Sequence, residues 1–241
     1  MENIAYLTNV KSSQRPGLMR RAAGTMILLC ALSAGTVFGS SVTIGSDNGS
    51  NAFPFGGPFG TNTGSDYQEA YAASDFSGPM LITGIDFFLG NGFTGSLYAG
   101  TYTLSLSVIS SNIGSLSSTN LAGNIGTDDT VFESVALSGK APNTLAFSGT
   151  PFLYNPTLGN LLLDISITGG SGGSDVAFED NEGTGTSLAR YQNFGSNDGL
   201  GYGLVTEFVS ASAAPAVPEP GMLSLLCCGL AAVVATRLRR R

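Results

Sequence analysis

The chain is 241 residues long, carries a formal net charge of −7 at neutral pH, and contains no histidine, no tryptophan and three cysteines. Without histidine, a Ser-His-Asp triad, a Cys-His dyad, a His-ligated zinc and an HExxH helix are all excluded.

At the N-terminus, Arg20 and Arg21 precede an apolar stretch, Met26 to Val37, and then the small-residue step Val37, Phe38, Gly39. Basic n-region, apolar h-region and small-residue cleavage site together predict a secretory signal over residues 1–39, cut between Gly39 and Ser40. Met19 stands directly before the two arginines, so residues 1–18 are expected to be an upstream extension. Cys30 follows Leu29, where a lipobox needs a small residue, and no lipid attachment is expected.

Removing the ends changes the balance of charge. Lys11, Arg15, Arg20 and Arg21 lie before the cut and Arg237, Arg239, Arg240 and Arg241 at the far end, which leaves only Lys140 and Arg190 as basic residues between them. All acidic residues except Glu2 and Glu219 stay in the body, whose net charge is therefore about −13; such a surface repels phosphate backbones and anionic lipids. Nucleic acid is not an expected partner. Cys30, Cys227 and Cys228 all lie outside Ser40–Val217, so this exported part has no disulfide and must be held by its own core.

Within residues 40–209 the apolar period is two. Tyr102, Leu104, Leu106 and Val108 alternate with Thr103, Ser105 and Ser107. Leu161, Leu163, Ile165 and Ile167 alternate with Leu162, Asp164, Ser166 and Thr168. Ile85, Phe87 and Leu89 repeat the pattern, as do Tyr202, Leu204 and Phe208. Each reads as a strand with one wet face. Predicted strands are Tyr67–Phe76, Leu81–Leu89, Thr101–Ser110, Thr130–Leu137, Thr144–Phe147, Leu161–Thr168, Asp175–Glu179, Leu188–Asn193 and Tyr202–Ser210. Turn-rich clusters separate them, among them Gly90–Gly95, Ser110–Ser118, Ser138–Asn143 and Gly169–Ser174. Ser46–Ser65, with Pro54 and Pro58, reads as a loop. The expected fold is all-β: an antiparallel β-sandwich of jelly-roll type, flanked by the signal peptide and a single C-terminal transmembrane helix.

The body offers little chemistry. Gly199, Gly201 and Gly203 lack the βαβ setting of a dinucleotide site. Paired carboxylates can hydrolyse glycosides across a cleft, and Asp128, Asp129, Glu133, Asp164, Glu179, Asp180, Glu182 and Glu207 are available, though spacing places no two together. Asp175, Glu179, Asp180, Asn181 and Glu182 form an oxygen-rich run of the type calcium uses, without matching a known loop pattern. Tyr67, Tyr71, Tyr98, Tyr154, Tyr191 and Tyr202 are available as stacking platforms for sugars. No catalytic residue, cofactor or metal is expected.

The C-terminal segment is the most specific part of the sequence. After an Ala/Ser-rich linker, 210–216, come Val217, Pro218, Glu219 and Pro220, then an apolar run from Gly221 to Thr236, then Arg237, Leu238, Arg239, Arg240 and Arg241. The prolines fix φ and remove two donors, so the tripeptide joins neither helix nor sheet and presents extended backbone to a peptidase. The run, at about 1.5 Å per residue, reaches about 24 Å against a hydrocarbon core of about 30 Å; snorkelling arginine stems extend it. The arginines form a stop-transfer cluster on the cytoplasmic side.

In this order, tripeptide, apolar run and basic end resemble the PEP-CTERM tail of exopolysaccharide-associated bacterial proteins. The resemblance implies recognition, and cleavage near Pro218–Glu219–Pro220, by the membrane peptidase exosortase. Similar tails also occur on some ice-binding proteins. The body resembles, over about half the chain, anchored PEP-CTERM proteins with a Tyr-Gln-rich first strand, here Tyr67, Gln68, Glu69 and Ala70, and a later segment corresponding to Gly159–Ile165. These resemblances imply a non-enzymatic protein exported across the inner membrane of a Gram-negative-type bacterium. It would be anchored transiently by its tail, then held at the cell surface or released, in association with extracellular polysaccharide. The alternatives are a carbohydrate-binding module for exopolysaccharide and, on the isolated pairs Thr61/Thr63 and Thr101/Thr103, an ice-binding protein.

Overall fold

A computed structural model describes residues 41–57, 65–193 and 199–210. These fall in one unit, Val37–Ala214. The signal cut at Gly39 and Ser40, the motif Val217–Pro220 and the cluster Arg237, Arg239, Arg240 and Arg241 lie outside the described residues.

The strands in chain order are β1 (Ser41–Ile44), β2 (Gly49–Asn51), β3 (Ser65–Tyr71), β4 (Met80–Phe88), β5 (Ser96–Ile109), β6 (Thr130–Leu137), β7 (Thr144–Tyr154), β8 (Asn160–Ser174), β9 (Phe178–Asn181), β10 (Leu188–Gln192), β11 (Gly199–Leu200), β12 (Gly203–Leu204) and β13 (Thr206–Ser210). One sheet has the order β1-β13-β4-β7, a second β11-β10-β3-β8-β5-β6, and a short third β12-β9-β2. All the ladders are antiparallel. The fold is therefore all-β, as the period-two pattern predicts.

The two larger sheets share one apolar core. Ile82, Ile85 and Phe87 of β4, Phe147 of β7 and Phe208 of β13 meet Tyr67 and Tyr71 of β3, Tyr102, Leu104 and Leu106 of β5, and Leu163 and Ile165 of β8. Alternation does the sorting: Tyr102 lies opposite Ile167, Leu104 opposite Ile165 and Leu106 opposite Leu163, all six on the inward face. In β4 the period slips between Ile82 and Ile85. A register shift against β7 between Ile82 and Gly84 restores the inward direction.

Several sequence expectations are corrected by tertiary context. The glycine cluster Gly169–Ser174 is strand, with Gly172 opposite Tyr98 and Ser174 opposite Ser96, although its glycines take positive φ. Strand β7 runs on past Phe147 through Gly149 and Pro151 to Tyr154, because it is a sheet edge where a missing donor is tolerated. Strand β3 ends at Tyr71 and the chain turns through a 3-10 helix at Ala73–Asp75. The segment from Ser46 contains β2, and Phe55 just after it is fully buried with its ring 5.1 to 5.8 Å from those of Phe87, Tyr102, Phe147 and Phe178. A stretch without periodicity thus supplies the middle of the core.

The expected wet face of β8 is also covered. Leu162 is fully buried and Asp164 nearly so. The connection between β5 and β6 lays Ile113, Leu116 and Leu121 on Ala70, Leu162, Ala189 and Tyr191 as a second apolar cluster. Its two 3-10 turns are capped by Asn112 and Asn120, whose side chains accept from Gly114 N and Gly123 N.

Candidate functional site: buried carboxylates and an adjoining polar cleft

Strand β3 places Tyr67, Glu69 and Tyr71 two residues apart on the inward face, and all three are fully buried. The Glu69 carboxylate accepts at Oε1 from the Tyr67 hydroxyl and from Leu204 N, both at 2.5 Å. At Oε2 it accepts from the Tyr71 hydroxyl at 2.5 Å and from Thr206 Oγ1 at 3.3 Å. Burial pushes Glu69 above the usual carboxylate range, opposed by these donors and by Arg190. The tyrosines rise well above the ordinary phenol value, first from burial and then from the Glu69 charge.

Arg190 sits directly across the ladder from Glu69, as the β10 partner of that residue. Its guanidinium donates to Asp180 Oδ1 of β9 at 2.7 Å and stacks 5.9 Å from the Tyr202 ring centre. Asp180 is 1% exposed and Arg190 5%, while Asp180 Oδ2 has no hydrogen-bond partner among the described residues. Burial pushes Asp180 up to about 7 against the pull of Arg190, with Glu69 and Glu182 adding to the rise. One arginine thus serves two buried carboxylates. Both Glu69 oxygens are filled by protein donors, so the arrangement ties β3 to β12 and β13 rather than opening a reaction space.

A surface cleft of about 440 Å³ lies beside this cluster, lined by the end of β1 and the two residues after it (Thr43 to Ser46), Asp75, Asn181 and the loop before β10 (Thr184, Gly185 and Ser187). Asn181 is held by four contacts. Its Oδ1 accepts from Ser46 N and Thr184 Oγ1 at 3.2 Å each, and its Nδ2 donates to Thr184 O at 2.8 Å and to Gly201 O. Burial raises Asp75, and a Ser187 hydrogen bond opposes the rise. Asp75 Oδ2 is buried without a partner among the described residues.

The acids singled out by sequence are dispersed. Asp128 Oδ1 accepts from Val108 N at 2.8 Å and Glu133 Oε2 from Ser148 N at 3.0 Å. Asp164 accepts from Gln68 Nε2 at 2.7 Å under the β5–β6 connection. Glu207 faces Asp86 across β13 and β4. Asp129 follows Asp128 in the connection before β6, and Glu182 follows the last residue of β9. Of the oxygen-rich run, Glu179, Asp180 and Asn181 lie in strand β9, where alternation sends Asp180 to the face opposite Glu179 and Asn181, and Asp175 and Glu182 fall outside it. Among the described residues no three His, Cys, Asp or Glu side chains stand close enough to hold a metal ion.

The expected tyrosine platforms are corrected too: Tyr67, Tyr71, Tyr98, Tyr154 and Tyr191 are buried, and only Tyr202 is partly open. Thr103 Oγ1 shares a 3.0 Å hydrogen bond with Ser134 Oγ, and Thr61 and Thr63 lie outside the described residues. Sequence reasoning passed over Glu69, Arg190 and Asp75. The Tyr-x-Glu-x-Tyr spacing was the available signal, since an acid flanked at two-residue intervals by large aromatics lies on their inward face.

Fold and site together define an all-β protein of antiparallel sheets on one core, pinned by a buried carboxylate. No family model, no curated protein and no solved structure matches the chain.

Proposed function

We propose that the chain is a non-enzymatic exported protein, sorted through its tail by exosortase and associated with extracellular polysaccharide at or beyond the cell surface. The observation that carries this reading is the order of Val217, Pro218, Glu219 and Pro220, the apolar run Gly221–Thr236, and the terminal arginines. The signal sequence and the acidic, cysteine-free body support export. The body is read as a jelly roll: β1-β13-β4-β7 and β3-β8-β5-β6 run within the two larger sheets, the interleaved order of that fold, with β10 and β11 added beside β3.

The test is intact-mass measurement of the mature protein from exosortase-bearing cells, beside Glu219→Ala. Removal of the residues beyond the tripeptide is expected in wild type and is expected to be blocked or slowed in the variant. A wild-type C-terminus still ending at Arg241 would overturn the reading.

A further inference from the structure

The cleft beside the buried carboxylates has a composition that selects one kind of ligand. Among the described residues of the lining, Thr43, Ser46, Thr184 and Ser187 bring hydroxyl groups, Asn181 an amide and Asp75 a single carboxylate, while Ile44 is the one large apolar side chain. Among the described residues no lysine or arginine lines it, so phosphates, sulfates and carboxylates lack a counter-charge there. A largely apolar ligand would strip water from these polar groups without replacing their hydrogen bonds.

Neutral polyhydroxylated molecules meet the opposite condition. Each hydroxyl both donates and accepts, and a carboxylate accepts two such donors. The cleft, at about 440 Å³, falls within the usual range for small-molecule sites. Its wall is set before any ligand arrives, because the Asn181 amide is fixed by Ser46, Thr184 and Gly201. Asp75, held by a Ser187 hydrogen bond, adds a carboxylate to the same wall.

We infer that this cleft is a binding site for a neutral saccharide, recognised through its hydroxyl groups by Asp75, Ser46 and Ser187 rather than by aromatic stacking. The inference gives the carbohydrate-binding alternative a specific site and rests on that reading. It is independent of tail processing, which is measured by C-terminal mass and not by binding.

The test titrates the purified full chain with glucose, galactose, mannose and xylose, and separately with neutral cello- and galacto-oligosaccharides, following backbone amide shifts by NMR. A dissociation constant of about 1 mM is expected for a fitting ligand. Stronger binding of oligosaccharides would point to a polymer as the source, and equal binding to a free sugar. Shifts should centre on Ser46, Asp75, Asn181 and Ser187. Asp75→Asn and Ser187→Ala are each expected to weaken binding about tenfold or more, while Asp129→Asn in the β5–β6 connection leaves it unchanged. The shift map and Ser187→Ala keep the test open should Asp75→Asn fold poorly. Absence of saccharide binding, undiminished binding in both cleft variants, or tighter binding of ethanolamine than of any sugar would each overturn the inference.

Discussion

The inner face of β3 presents Tyr67, Glu69 and Tyr71 to the space between the sheets, while its outer face presents Gln68 and Ala70 to the connection between β5 and β6. Both faces are buried, and both bury polar atoms. The inner face does so with a charge whose two oxygens collect donors from β3, β12 and β13. The outer face uses an amide relay: Gln68 Nε2 donates to Asp164 Oδ1 at 2.7 Å and to Leu121 O at 2.9 Å, and Asn124 Nδ2 donates to Gln68 Oε1 at 2.9 Å. The difference is one of reach. The carboxylate joins strands of different sheets, so its loss reaches the whole core. The amide relay joins one loop to one sheet, so its loss stays local.

Removing Glu69 should therefore have the largest effect. Glu69→Ala takes the carboxylate acceptor from three buried hydroxyls, those of Tyr67, Tyr71 and Thr206, and from the Leu204 amide and opens a void, which should cost about 3–5 kcal/mol, a large share of the 5–15 kcal/mol typical of a domain. Urea unfolding measures it. Glu69→Gln keeps the volume and one acceptor oxygen and should cost less, and equal losses in the two variants would mean that the second acceptor oxygen and the charge, not side-chain volume, set the effect.

On the outer face, Asn124→Ala should cost about 1–2 kcal/mol and should act locally. Hydrogen exchange is expected to quicken from Ser110 to Asp129 while the β5–β8 ladder stays protected. A uniform acceleration across β5 and β8 would show that the two faces of β3 are not separable.

The smallest expected effect is on pH dependence. Burial raises Asp180 from the ordinary carboxylate value of 3.8 to about 7 in the folded chain, so between those values the folded chain holds a proton that the unfolded chain has released. Its stabilising contribution is greatest below the unfolded value and is lost as pH rises through about 7. The melting temperature should be higher at pH 5 than at pH 8, and Asp180→Asn should narrow that gap. An unchanged gap in the variant would assign the dependence to the general repulsion of the acidic body instead.

Legibility in the sequence followed the physics of each element. Strand β6 spans Thr130–Leu137, the bounds its composition and flanking turns predict, and β4 differs from expectation by one residue at each end. The Gly169–Ser174 extension was hidden because glycine has no side chain to show a period, and the strand depends on β5 for pairing. Phe55 was hidden because one aromatic in a Pro/Gly-rich stretch makes no pattern. Among the site residues, Asp180 is one of several acids in its run, and nothing local distinguishes it from Glu179. Only tertiary packing brings Arg190, on β10 of another sheet, to one of them.

What the sequence by itself determined is what depends on neighbours along the chain. That covers the all-β class read from alternation, the exclusion of histidine and thiol chemistry from the body, and the tail order on which the sorting proposal rests. Tertiary structure decided which of two equivalent faces was wet, which acids became core, and where hydroxyls gather into a cleft. A strand's period specifies two faces without saying what will cover either, and the covering residues here, Ile113, Leu116 and Leu121 outside and Phe55 within, come from segments with no period of their own.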